Sequence, residues 1–336
     1  MIRPKKLEIF CGTGGVGKTT LATSRAVALA SKGHKVLLIT IDPAKRLKEI
    51  LKLSEARAGK VETISSKVHL NMQDDFSFDA LLMSPRETFK RIGGEKVIEN
   101  PILKILTRPN GGMNEILALV EVDHHLSQNN YETIILDTPP GQHFIDFLES
   151  SKKIKLFFKK IYLDIFQHLK SGGKKRKFFT TLLSSGIKKL LDLLESITGA
   201  HFVTEFIETI GIVYNHKDDF IKALEVQETL KNKELSNWFL IASVDHKKIS
   251  EAAEIKSKAA SFLHEDNYFI INRSWSPHLA KWQPKESKMA NIRTTLWNRE
   301  REIMDFAEKN YINILQFGEI FSLLPEDQVC QLAKSW

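Results

Sequence analysis

Cysteine is scarce in this 336-residue chain: only Cys11 and Cys330 occur, and there is no C-x-x-C pair. That excludes a disulfide-built scaffold, a thiolate zinc site and thioredoxin-like redox work. Both thiols are expected to behave as small buried hydrophobes. Long apolar runs are missing too, since no uncharged stretch approaches the ~20 residues of a membrane-spanning helix. The opening residues MIRPKKLEIFCG hold too brief an apolar stretch for a secretory leader. The expected compartment is the cytosol. There is no internal repeat and no second glycine-rich loop.

A general excess of basic charge is also absent, although the net charge is +8. Ten Lys/Arg and a single acid, Asp164, fall between Lys152 and Lys177, and the remaining chain has 39 basic and 40 acidic residues. The basicity is one local patch on a balanced protein, which disfavours nucleic acid as the main partner.

What is present is an α/β alternation. Strand-like runs at Leu7–Cys11, Val36–Ile41, Val68–Met72, Thr133–Asp137, Trp238–Val244, Tyr268–Asn272 and Ile312–Phe317 are separated by helical patterns. This predicts a mostly parallel, doubly wound sheet with helices on both faces. Residues 76–130 and 150–235 read mostly helical. The expected organisation is one α/β core of 1–75, 131–149 and 236–336, with 76–130 and 150–235 inserted as a helical subdomain.

The sharpest motif is Gly12-Thr-Gly-Gly-Val-Gly-Lys18-Thr19, which fits G-x-x-x-x-G-K-[ST] between an apolar strand and a helix. Glycines let the backbone N–H groups of Gly14, Gly15, Val16 and Gly17 turn toward phosphate, and the helix dipole at Lys18, Thr19 and Thr20 adds to this. Lys18 would reach the β- and γ-phosphates, and the Thr19 hydroxyl would bind Mg²⁺. Two further strands run into acids, Val36–Ile41 into Asp42 and Thr133–Leu136 into Asp137-Thr-Pro-Pro-Gly-Gln-His. Strand carboxyl ends line the ligand crevice of such a sheet. One acid can hold metal-bound water and the other can orient the attacking water. Taken singly, either Asp would read as a helix cap or turn residue.

With GTGGVGKTT, IDPAKRL, DTPPGQHFIDFLES and YFIINRSW in this order, the chain resembles the ArsA/anion-transporting ATPase family, which includes the tail-anchored-protein targeting ATPases. It is closest to a bacterial single-module branch. The resemblance implies an Mg²⁺-dependent ATPase working as a homodimer, with Asp42 activating water and Asp137 holding Mg²⁺ through its water. It also bears on Thr13. Relatives commonly read G-K-G-G-V-G-K-T-T, the first lysine reaching the partner's phosphates. With Thr13 in that place, either hydrolysis is slow or another cation substitutes. Arg46 is the nearest candidate, the competing reading being a solvated helix face beside Lys45 and Lys48.

The family places an adenine-reading Asn at the end of the strand Tyr268–Asn272. A carboxamide can donate to N7 and accept from N6 of adenine, so Asn272 favours ATP over GTP. Asn215 is a rival within the helical insertion. Pro325 resembles the family's loop that walls the adenine pocket. Residues 152–170 and 179–197 carry two apolar stripes joined by SGGKKRK. They read as core, or as a surface for a hydrophobic protein segment or a membrane-associated client. The methionine-rich groove and zinc-bound dimer of the targeting relatives, and the clustered thiols of the arsenite-efflux relatives, have no counterpart here. An Mg²⁺-dependent ATPase coupled to a client is the first expectation. A nucleotide-gated binding switch with very low turnover is the second, and a partition-type ATPase on DNA the third.

Overall fold

The computed structural model describes residues 2–41, 45–53, 57–93, 113–141, 222, 225, 226 and 228–336. Contacts divide the chain into two compact units, one of Met1–Ser84, Val122–Asp146 and Val226–Trp336, the other of Pro85–Glu121 and Phe147–Glu225.

The first unit is built on an eight-stranded sheet. Its strands are β1 (Leu7–Gly12), β2 (Val36–Thr40), β3 (Val61–Ser65), β4 (Ser77–Leu82), β5 (Thr133–Asp137), β6 (Ser236–Ser243), β7 (Tyr268–Ser274) and β8 (Asn313–Gly318). The spatial order is β3-β4-β2-β5-β1-β6-β7-β8. Every neighbouring pair is parallel except β3 with β4. Parallel strands covered on both faces need apolar residues at every position. Accordingly β1, β2 and β5 are buried along their whole lengths.

The helices of this unit are α1 (Lys18–Ala30), α2 (Lys45–Leu51), α3 (Ser66–Leu70), α6 (His246–Ala259), α7 (Ser276–Lys281), α8 (Ser287–Asn310) and α9 (Pro325–Ala333). Between them in sequence come α4 (Pro85–Gly93), in the second unit, and α5 (Met113–Gln128), which runs from the second unit into the first. Helix α1 is buried at every position from Thr20 to Ala30. Its Ala, Thr and Ser residues provide an all-round compact surface for a helix enclosed between the sheet and its neighbours. Of the second unit, the Glu121 carboxylate on α5 accepts from Thr88 Oγ1 and Arg91 on α4, each at 2.7 Å.

Two local expectations are corrected. Val68–Met72 is not a strand. Ser65 caps α3 by accepting from the Val68 N–H, and Asn71 closes the helix at φ 53°, an asparagine in the left-handed region. Only Leu70 of the short apolar run is buried, while Val68 is exposed. Conversely, the helical reading of 76–130 fails at Ser77–Leu82, which is β4, inside the sheet between β3 and β2. Its Asp79 weakened the strand signal, yet that carboxylate is served by Thr63 Oγ1 at 2.7 Å and Tyr131 Oη at 2.8 Å. Among the described residues no helix is long and apolar enough to cross a membrane.

Candidate functional site

Strand β1 lies between β5 and β6, and the chain leaves it first toward β2 on one side and returns later to β6 on the other. Such a switch point opens a crevice at the strand carboxyl ends. The glycine loop occupies it. Gly15 (φ 81°) and Gly17 (φ 92°) take left-handed conformations that side chains resist. At Gly17 a Cβ would also collide with the Asn272 carboxamide nitrogen. Gly12 is closed in another way, since a Cβ there would lie 2.5 Å from the Ile241 carbonyl. Val16 is wholly buried and anchors the loop, whereas Gly14 and Gly15 face outward.

Lys18 Nζ donates to the Thr13 carbonyl at 3.0 Å, which holds the ammonium over the loop that it serves. Thr19 Oγ1 donates to Asp137 Oδ2 at 2.7 Å, and Thr40 Oγ1 donates to the same oxygen at 3.0 Å. Asp137 is 2% exposed, so the ends of β2 and β5 and the start of α1 are drawn onto one carboxylate. A hydroxyl and a carboxylate oxygen side by side suit a hard, oxygen-preferring cation that keeps waters and takes its other ligands from phosphate. The residues present fit Mg²⁺. Among the described residues no cluster of three His, Cys, Asp or Glu could hold a metal by protein ligands alone.

The loop after β5 is tied to β1 by Thr138 Oγ1, which donates to the Phe10 carbonyl at 2.9 Å. At Gly141 a Cβ would stand 2.8 Å from Ile255 Cδ1 and 3.2 Å from Cys11 Sγ, so the loop packs closely against α6 and β1 there. Burial pushes the Cys11 thiol up to about 11, which makes it inert packing beside the loop.

Around these groups is a cavity of about 400 Å³, lined by the glycine loop, Lys18, Thr19, Asp137, Arg46 and Arg273. Three cations face one carboxylate, the balance a polyphosphate requires. Arg46 is half-buried. Its guanidinium donates to Gln328 Oε1 on α9 at 2.9 Å and approaches Glu49 at 3.8 Å. A smaller adjoining hollow is lined by Gly17, Thr20, Asn272, Glu319, Ile320 and Gln328. Asn272 Nδ2 donates one hydrogen to the Val16 carbonyl at 2.8 Å. The other N–H and the carboxamide oxygen remain for a ligand. Pro325 opens α9, the helix that brings Gln328 and Leu332 to this hollow.

Lys18, Thr19, Thr20, Asp137, Asn272 and the glycines are thus brought together. Asp42, Asn215 and the segment 152–197 lie outside the described residues. Thr13 is buried, and its hydroxyl has no hydrogen-bond partner among the described residues. Sequence reasoning missed Gln328, Thr40 and Arg273. A threonine ending a strand that leads to an acid was a usable signal for Thr40; nothing marked the other two.

The sequence model of the anion-transporting ATPase family matches residues 5–289. A putative arsenical pump-driving ATPase of Aquifex aeolicus is 26% identical over 170 residues, 47% of this chain and 41% of that protein. The ATPase GET3 of Komagataella phaffii is 22% identical over 308 residues, 89% of this chain and 79% of that protein. The ATPase GET3 of Podospora anserina is 31% identical over 153 residues, 45% and 44% of the two chains. The match therefore spans less than half the length of two of these relatives and about four fifths of the third. A loop shaped for phosphate, a Thr19–Asp137 pair suited to magnesium and a family match over most of the sequence agree, and the chain belongs to the anion-transporting ATPase family of ATP hydrolases.

Proposed function

We propose that the protein hydrolyses ATP with Mg²⁺ in the cavity at the end of β1. The observation that carries this reading is the convergence of Thr19 and Thr40 on Asp137 beside Lys18 and the left-handed glycines. In the proposed cycle the loop amides cradle the phosphates, and Lys18 moves from the Thr13 carbonyl to the β- and γ-phosphates. Thr19 and Asp137 would hold Mg²⁺, which supplies charge stabilisation at the phosphoryl oxygens. Asp42 orients the attacking water and accepts its proton as the bond to the γ-phosphorus forms, while the bond from that phosphorus to the β–γ bridging oxygen breaks and ADP and phosphate leave. Arg46 takes the charge-offsetting role for which relatives use the lysine that Thr13 replaces, and its place in the cavity lining supports this. Asn272 reads adenine, with Pro325 on the pocket wall.

The client assignment rests on relatives named for arsenical pumping and as GET3. Arsenite chemistry finds no support in a chain whose thiols are Cys11, buried with its proton held, and the distant Cys330. We favour a cytoplasmic homodimer whose helical unit takes a hydrophobic protein segment or a membrane-associated client, with 152–197 as the contacting surface. Burial of Thr13 favours keeping one second reading, a nucleotide-gated switch with very low turnover, because no side chain there reaches outward.

Steady-state phosphate release tests both. The first reading expects Mg²⁺-dependent turnover that Asp42→Asn eliminates while ATP binding persists. Tight ATP binding with no phosphate release by the parent protein would select the switch. Absence of ATP binding would remove both readings.

A further inference from the structure

Arg273 follows the proposed base reader and is exposed at φ 58°. A long side chain gains nothing from the left-handed region, where Cβ crowds the following carbonyl. Such residues persist only where their surroundings over-determine them, and they gather at ligand sites. The surroundings here can be named. The pairing of β7 with β8 breaks register between Ile271 and Ser274, a bulge of the kind that re-aims a side chain. Beyond it, the buried Glu300 carboxylate on α8 clamps three successive residues. It accepts from Ser274 Oγ at 2.7 Å, the Trp275 N–H at 2.6 Å and Ser276 Oγ at 2.8 Å. Gln316 on β8 adds a donor to Ser274 Oγ at 2.6 Å.

The Arg273 guanidinium has no hydrogen-bond or ion-pair partner among the described residues, and Arg273 lines both the phosphate cavity and the base hollow. Gly17 and Thr20 also line both spaces. The junction of a base pocket with a phosphate loop is where the ribose and α-phosphate of a nucleotide must pass. Lys18 and Thr19 point at the other end of the polyphosphate.

We propose that Arg273 is a nucleotide-binding residue that grips the α-phosphate from the same subunit, and that Glu300 is a positioning residue holding it in the strained conformation that makes this reach. The inference rests on the nucleotide-binding reading above. Two duties are thereby separated among the cavity cations: Arg46, at the start of α2, acts at the γ-phosphate, whereas Arg273 serves affinity for any adenine nucleotide with an α-phosphate.

The test uses the full chain with ATP and ADP as probes, read by calorimetric binding and by steady-state phosphate release. Arg273→Gly relieves the strain and removes the cation. The expected result is unfolded-state resistance in the absence of nucleotide at least equal to the parent's, with both ATP and ADP bound about tenfold more weakly. The lost affinity should also appear in steady state as a KM for ATP raised about tenfold, with kcat/KM lowered to match. Glu300→Gln should weaken binding in the parent but add little in the Arg273→Gly background. Parent-like affinity of Arg273→Gly for ADP overturns the proposal, as does a loss confined to ATP. If the parent itself binds neither nucleotide, the failure belongs to the nucleotide-binding reading. Lys18→Ala, which should weaken binding of both nucleotides more than Arg273→Gly does, serves as the control.

Discussion

The two ends of β1 treat charge in opposite ways. Near its start Glu8 is completely buried against the equally buried Arg25 of α1, in a two-pronged contact at 2.8 and 2.9 Å. Asn237 on β6 donates to the same carboxylate at 3.1 Å. The guanidinium lies 5.2 Å from the Trp336 ring, and the Trp336 indole donates to Ser24. That ring in turn packs edge-on against Phe10 and Phe239. Past the other end of the strand, beyond Gly12, Lys18 rests on a backbone carbonyl, and Arg273 meets no protein partner among the described residues. The first end spends its charges on the protein. The second presents them to a cavity. Where side chains meet a buried ion the role is cohesion; where a glycine loop and a positive-φ arginine bring Lys18, Arg46 and Arg273 around one cavity, the surface suits an anion.

The largest effect should come from breaking the closed end. Arg25→Ala leaves Glu8 as an uncompensated buried carboxylate, and removal of one partner from such a pair costs about 3–5 kcal/mol. Urea denaturation should show that loss, a large share of an ordinary domain's stability. Nucleotide affinity of the remaining folded fraction should be unchanged. If affinity falls as steeply as stability, the two ends are coupled and the contrast fails.

Breaking the open end should give the reverse pattern. Lys18→Ala should lower ATP affinity by about 2–3 kcal/mol, as charged hydrogen bonds to phosphate are lost, and should change the urea midpoint without nucleotide very little. Thermal shift on adding Mg·ATP reads the first effect. Asn272→Ala comes next. It loses the bond to the Val16 carbonyl, about 1 kcal/mol of loop order, and should erase the difference between ATP and GTP stabilisation. Equal stabilisation of the parent by the two nucleotides would end the base-reading assignment.

How far the sequence foretold this site depends on the range of the forces involved. The glycine loop, its strand and helix and the acid at Asp137 are local chemistry, legible because glycine and lysine are required at fixed spacing. The central strands were legible because burial on both faces demands unbroken apolar runs. Strand β4 was not, because Asp79 is made tolerable by Thr63 on β3 and Tyr131 ahead of β5, partners that only the fold assembles. Arg273 was hidden for the same reason. The residues that follow it are held by Glu300 from another element, and no residue type near Arg273 announces a positive φ. Likewise Arg46 entered as a cation of uncertain orientation, and its tie to Gln328 on α9 turns it toward the cavity.

The smallest effect belongs to the closed side of the sheet and sharpens the comparison through pH. His264 is half-buried, with Nε2 3.1 Å from the Ser236 carbonyl and Nδ1 buried without a partner. The geometry suits the neutral ring that donates from Nε2; a second proton would sit on Nδ1 facing no acceptor. Burial is the main cause holding its pKa below the ordinary histidine value of 6.5, with Lys5 and Lys233 adding repulsion and the Ser236 carbonyl and Asp266 opposing the shift. Because the unfolded chain takes up this proton at higher pH than the folded one, the contribution to stability is full above about pH 6.5. It is then lost as pH falls through the lower folded value. His264→Gln keeps a donor for Ser236 and cannot titrate. The parent's urea midpoint should therefore decline more steeply between pH 7 and 5 than that of His264→Gln, the two curves running parallel above pH 7. Equal slopes would assign the acid sensitivity to other histidines. An opposite difference would mean that the ring is better accommodated as the cation, and that charge at this closed side is not settled by the protein's own partners.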